Sequence, residues 1–94
     1  MQIYSLNPIS IISTKNGKKI KIELGNIKME MGICRFAEFS NYINSLSQKI
    51  DENTEFVELA LVRKNLTIQL SLTDFVKLWH STEAIKSQNL IYKN

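Results

Sequence analysis

A chain of 94 residues with a formal net charge of +3 is long enough for one hydrophobic core, and we expect a single domain over residues 1–94. Its one cysteine, Cys34, excludes an intrachain disulfide and fits a reducing cytoplasm. No apolar run approaches the roughly 20 residues of a membrane span, and the first residues do not resemble a signal peptide. We therefore expect a cytoplasmic protein that has no membrane partner.

One stretch of the sequence occurs twice, at residues 26–36 and again, 39 residues later and without a gap, at residues 65–75. In each copy the apolar residues first alternate with period two and then recur at spacings of three and four, which predicts a strand running into a helix. The internal repeats span about residues 18–50 and 56–88. Because one half could not bury its own apolar face, we expect the two halves to share a core.

Three strands are predicted in the first half, over residues 9–15, 18–24 and 27–31, with two-residue turns at Asn16-Gly17 and Gly25-Asn26. These turns bring apolar residues together on one face, whereas a shift of one residue would place lysines there. The predicted pairs are Ile9 with Leu24, Ile11 with Ile22, Ser13 with Ile20, Leu24 with Ile27, Ile22 with Met29 and Ile20 with Met31. Helical spacing then predicts a helix over residues 33–50.

The second half repeats this plan after a polar connector, with Lys64-Asn65 as the turn. That turn predicts the pairs Leu61 with Ile68, Leu59 with Leu70 and Val57 with Leu72. Ser71 and Asp74 are spaced as a capping box at the start of the second helix. The residues on the buried face of this helix are Phe75, Leu78, Thr82 and Ile85. We expect it to fray near residues 87–89, with residues 90–92 as an edge strand or a packed tail.

The sequence thus predicts an α+β fold built from internally duplicated strand–strand–helix halves, with an extra leading strand in the first half. The strands are expected to form an antiparallel sheet with two helices packed on one face.

The residues that carry a likeness to other proteins are Gly25-Asn26-Ile27-Lys28-Met29 with Phe36 and Phe39, and Lys64-Asn65-Leu66-Thr67-Ile68 with Asp74-Phe75. In these residues the chain resembles an uncharacterised family of short Bacteroidetes proteins with a domain of unknown function. The resemblance covers roughly residues 18–86 and implies the duplicated fold but no activity. Many members have a Cys-x-x-Cys before or within the first hairpin. This chain has no cysteine there, so no metal or redox role is implied.

The sequence contains no recognisable catalytic, cofactor-binding or metal-binding arrangement of residues. His80 and Cys34 are the only histidine and cysteine, so no zinc set of these ligands can be written. Cys34 is expected in the first helical turn, either as a reactive thiol or as a small half-buried residue. His80 is expected on the surface, and the acidic residues 51–55 as a solvated connector. We therefore expect a protein that is not an enzyme and needs no cofactor.

The basic first hairpin is one candidate site, because residues 1–35 carry a net charge of +4 and residues 36–94 carry −1. The residues that would follow a phosphate backbone are Lys18, Lys19, Lys21 and Lys28. The alternative is an ordinary solvated face, since Glu23 and Glu30 interrupt the charge and no aromatic residue offers a base-stacking platform. The PUR and Whirly single-strand-binding domains are similar in their sheet-plus-helix repeats, but only as an analogy of fold.

An apolar surface in the second half is the other candidate. Phe56, Ala60 and Val62 alternate on the face of their strand opposite the core, and Trp79 lies beside the core stripe of its helix. Exposed residues of this kind mark contact surfaces, or they merely close the edge of the core. We expect a protein-interaction module that self-associates as a homodimer, with single-stranded nucleic-acid binding by the basic hairpin as the alternative.

Overall fold

The architecture follows the duplicated order that the sequence predicts. The structure, a computed structural model, describes residues 8–14, 18–61 and 65–92, with side chains up to Ser87. Its elements are β1 (Ile9–Ser13), β2 (Lys19–Leu24), β3 (Ile27–Gly32), α1 (Ile33–Ser47), β4 (Phe56–Leu61), β5 (Leu66–Ser71) and α2 (Leu72–Tyr92). Each half is strand–strand–helix, and β1 is the extra leading strand. The α+β class and the internal repeat are therefore confirmed.

The strands pair in two antiparallel sheets within the described part of the chain, one of three strands in the order β1-β2-β3 and one of two strands, β4-β5. All six pairs predicted for the first half occur in the observed register. Gly25 turns the chain between β2 and β3 with φ 62°, a conformation that costs glycine little. The predicted turn at Asn16-Gly17 lies outside the described residues.

The predicted register of the second hairpin is wrong by two residues. Leu61 pairs with Leu66, not with Ile68, so four residues separate the strands. The positive φ of 51° belongs to Asn65, which tolerates the left-handed region, whereas the position equivalent to Gly25 holds a lysine. Because side chains alternate with period two, a shift of two residues leaves the same residues on the core face. The other observed core-face pairs are Leu59 with Ile68 and Val57 with Leu70.

The helices differ from the sequence prediction at their C-terminal ends. Helix α1 ends at Ser47, and Ile50 lies after it, half-buried against the core. Helix α2 continues to Tyr92 through the segment predicted to fray, so the edge strand or tail predicted for residues 90–92 is wrong. No glycine or proline interrupts the chain between residues 72 and 92, and nothing local therefore stops the helix.

One core joins the two halves. It draws buried side chains from β2, α1, β4, β5 and α2. Helix α1 contacts β2 and β3, helix α2 contacts β1, β4 and β5, and the two helices contact one another. The fully buried members include Ile20, Ile22, Leu24, Ile43, Leu59, Ile68, Leu70, Phe75 and Leu78. The predicted helix face of Phe75, Leu78, Thr82 and Ile85 is buried throughout.

Candidate functional site

The basic face lies on the side of the three-stranded sheet that points away from the core. Lys18, Lys19, Lys21 and Lys28 are all exposed. Within this face Lys21 stands opposite Glu30, and Lys28 stands opposite Glu23. Opposite charges facing one another across a strand pair stabilise the sheet and cancel at a distance. Only Lys18 and Lys19, at the hairpin end, lack an acidic residue directly across the β2–β3 pair.

Ile12 is an exposed apolar residue on the same face that sequence reasoning did not single out. Its side chain is 53% exposed, and it pairs with Lys21. The predicted register contained the signal, since alternation from Ile9 and Ile11 leaves Ile12 pointing outward. The described strands β1, β2 and β3 carry no aromatic residue, so this face offers nothing on which a base could stack.

The outward face of the two-stranded sheet carries little charge. Phe56 is 49% exposed, Ala60 is exposed on the same face of β4, and Glu58 lies between them. The β5 residues across from these three are Ser71, Thr67 and Gln69, all uncharged. Among these six side chains Glu58 alone is charged. Val62, which the sequence also places on this face, lies outside the described residues.

The outer edge of β4 faces helix α1. The Glu55 carbonyl accepts a hydrogen bond of 3.0 Å from the Leu72 N–H. The backbone N–H and C=O groups of the odd-numbered β4 residues therefore point toward β5. Because backbone groups alternate in an antiparallel pair, the N–H and C=O groups of Phe56, Glu58 and Ala60 point to the other edge. There the Ala60 N–H donates a hydrogen bond of 2.9 Å to the Tyr42 hydroxyl.

Sequence reasoning missed Tyr42, and no local pattern could have found it. Tyr42 is a half-buried residue of α1, next to the core position Ile43, and it is 18 residues away from Ala60 in the chain. Its partner becomes visible only when the position of α1 relative to β4 is known. The contact makes α1 part of the candidate site at the β4 edge.

Trp79 packs at the margin of the core. It is half-buried against the core cluster, and its ring centroid lies 5.6 Å from that of His80. Its indole nitrogen is buried and has no hydrogen-bond partner among the described residues. The structure therefore brings Phe56 and Ala60 together on one face, and it places Trp79 where its ring covers core residues.

The remaining chemistry-bearing residues do not converge. His80 is exposed, as expected, and Cys34 is exposed in the first turn of α1 rather than half-buried. The Asp51 carboxylate accepts hydrogen bonds from the Asn53 N–H at 2.8 Å and the Thr54 hydroxyl at 3.1 Å, so it shapes the connector. The described ranges contain no group of three or more His, Cys, Asp or Glu residues able to hold a metal ion.

Of the two helices that the structure describes, neither has the length and apolar character needed to cross a membrane. Comparison of the chain with family models, curated proteins and solved structures gives no match. We therefore base the functional proposal on two surfaces, the one around β4 and the one on the basic hairpin.

Proposed function

We propose that this chain is a small non-enzymatic interaction module of the cytoplasm, which forms a homodimer through the outward face of β4. The observation that carries this proposal is Phe56, an aromatic side chain left 49% exposed on a face whose described residues include one charge. Aromatic residues are enriched in the centres of protein interfaces, where charged residues are depleted. Ala60, on the same face beyond Glu58, leaves space for a partner side chain, and Val62 continues the same alternation in the sequence.

The expected association is weak. Fully burying a Phe side chain contributes about 1.5–3 kcal/mol, so covering the exposed half of Phe56 contributes on the order of 1 kcal/mol per subunit. Stable specific interfaces bury about 1,200–2,000 Å² in total, far more than one aromatic and one alanine supply. We therefore expect a dissociation constant in the micromolar range or above, and the measurement has to cover high protein concentrations.

Sedimentation velocity over a concentration series tests the homodimer. The wild-type chain should approach twice the monomer mass of 10.9 kDa as the concentration rises. Ala60→Lys and Val62→Glu should each hold the protein as a monomer, because both place a charge on the proposed interface. Ala37→Lys is the matched control, since Ala37 is exposed on α1. Dimerisation that survives both β4 substitutions would remove this face from consideration.

The second candidate function is single-stranded nucleic-acid binding by the basic hairpin, favoured by the exposure of Lys18, Lys19, Lys21 and Lys28. It predicts that fluorescence polarisation of a labelled oligonucleotide detects binding at about 50 mM salt that weakens steeply by about 200 mM. Lys19→Glu with Lys21→Glu should abolish this binding. Lys49→Glu with Lys77→Glu makes the same charge change at two exposed helix-side positions and should preserve it.

The charge pattern favours the homodimer over the nucleic-acid complex. Two of the lysines on the basic face stand opposite Glu23 and Glu30, which reduces the field available to a phosphate backbone. The described residues on the outward face of β4 and β5 include one charge, that of Glu58, so less charge opposes a protein contact there.

A further inference from the structure

The two halves of the internal repeat differ at one strand edge. The outer edge of β4 corresponds to the edge of β2 that β1 covers. In the first half β1 pairs along that edge, and the Lys19 carbonyl accepts a hydrogen bond of 2.9 Å from the Thr14 N–H there. At the offset of 39 residues, Glu58 and Ala60 are the equivalents of Lys19 and Lys21. Among the described residues no strand pairs with this edge of β4.

In the second half, Tyr42 of helix α1 lies at part of the edge that a strand covers in the first half. In the first half β1 lies against α2, and the residue of α2 equivalent to Tyr42 is the small Ser81. The Tyr42 hydroxyl accepts the hydrogen bond of the Ala60 N–H. A strand lying where β1 lies in the first half would accept a hydrogen bond from this same N–H. The Glu58 N–H points to the same edge and has no hydrogen-bond partner among the described residues.

We propose that the outer edge of β4 is a strand-pairing site that takes β4 of a second copy in antiparallel orientation, with the Tyr42 hydroxyl displaced from Ala60. This inference rests on the proposed homodimer, but it joins the two copies at the outer edge of β4 rather than through the outward face. The product is a four-stranded sheet in the order β5-β4-β4-β5 across a two-fold axis.

The sequence of β4 suits pairing with itself. Centring the two-fold axis at Leu59 places Glu58 opposite Ala60 of the second copy in both directions, so that no like charges meet. Centring it at Glu58 would set two glutamates directly opposite one another, which is unfavourable. In the Leu59-centred register the apolar residues of both strands stay on one side of the joined sheet. The outward faces that contain Phe56 and Ala60 become continuous. Ala60→Lys distinguishes this arrangement from a face-to-face contact, because the introduced lysine would stand opposite Glu58 of the second copy and preserve the paired edge, whereas it would break a contact between the faces.

Such pairing would also satisfy the unpaired backbone groups of an exposed strand edge. Unpaired N–H and C=O groups on an edge are a template for another strand, and proteins cover them with a neighbouring element or pair them in an oligomer. Tyr42 covers one of these groups with one hydrogen bond. That bond is weak enough to be exchanged for the ladder hydrogen bonds of a second β4.

Proline at position 58 tests the pairing. The Glu58 N–H points away from β5, so Glu58→Pro removes no hydrogen bond of the β4–β5 ladder, and proline is tolerated on such edges. We expect Glu58→Pro to weaken dimerisation at least tenfold in sedimentation velocity. Glu58→Thr removes the same charge, keeps the N–H and should preserve the dimer. Circular dichroism and a thermal melt verify that both variants are folded.

Tyr42→Phe is a second and independent test, which remains informative if Glu58→Pro does not fold. It removes the competing hydroxyl and keeps the ring, so we expect dimerisation to become at least tenfold tighter, because each of the two copies no longer has a hydrogen bond of ordinary strength to give up. A dimer that is unchanged by both Glu58→Pro and Tyr42→Phe would overturn strand pairing and leave the β4 face as the interface. A wild-type chain that stays monomeric at the highest concentration would overturn the homodimer itself, and with it this inference.

Discussion

The Ser71 hydroxyl accepts a hydrogen bond of 3.2 Å from the backbone N–H of Asp74 and so closes the first turn of α2. This is one of the two hydrogen bonds of the predicted capping box. At the equivalent position 39 residues earlier the N-cap of α1 is Gly32, which makes no side-chain capping bond. The two copies of one motif therefore begin their helices with different local stability.

Replacing the cap of α2 should destabilise the protein. Ser71→Ala removes the acceptor for the Asp74 N–H, and such losses typically cost about 1 kcal/mol. Urea unfolding followed by circular dichroism would show a lower midpoint with an unchanged slope. Thr73→Ala, at an exposed position in the same turn, is the control and should leave the midpoint nearly unchanged. Equal midpoints for the two variants would contradict a capping role for Ser71.

Installing the missing cap on α1 should stabilise the protein. Gly32 has extended φ and ψ of −75° and 173°, and a Cβ added there meets nothing within 4 Å. Gly32→Ser should raise the free energy of unfolding by about 0.5–1 kcal/mol, because it adds a cap and reduces the freedom of the unfolded chain. Gly32→Ala makes only the second change. If the alanine variant is as stable as the serine variant, the hydroxyl forms no cap.

The register of the second hairpin can be tested by cross-linking. Glu58 and Gln69 stand opposite one another, and their backbone groups place them in a non-hydrogen-bonded pair with a Cα separation near 4.5 Å. Cysteines at 58 and 69, in a Cys34→Ser background, should form a disulfide on mild oxidation, since this separation lies within the usual range. Cysteines at 60 and 69 match the register predicted from sequence and should stay reduced. The reverse result would contradict the observed pairing.

The contrast between the two hairpins shows what local sequence can determine. In the first half Gly25, with its φ of 62°, and the alternating pattern of β2 and β3 agree, so turn and register could be predicted together. In the second half the repeat suggested an equivalent turn, but a lysine replaces the glycine and Asn65 takes the positive φ. Periodicity still identified the buried residues, because it is insensitive to a shift of two.

The candidate site was harder to predict from the sequence than the core. Alternation predicted that Phe56 and Ala60 point away from the core, and both are exposed. The division of the strands into two sheets and the contact of Tyr42 with Ala60 depend on how the halves pack across long stretches of chain. No propensity or spacing encodes such a contact, so the open edge of β4 could be recognised only in three dimensions.

Because the two halves share one core, we expect them to unfold cooperatively. Ile22 in the first half is fully buried in the same cluster against which Trp79, the only tryptophan, packs in the second half. Ile22→Val should cost about 0.5–1.5 kcal/mol. It should shift the denaturant midpoint of Trp79 fluorescence as much as that of far-UV circular dichroism, as two-state unfolding requires. Lys19→Ala, on the solvent side of the same strand and opposite the uncharged Gly32, should leave both midpoints nearly unchanged. A fluorescence midpoint that stays fixed while the circular dichroism midpoint falls would mean that the halves unfold separately.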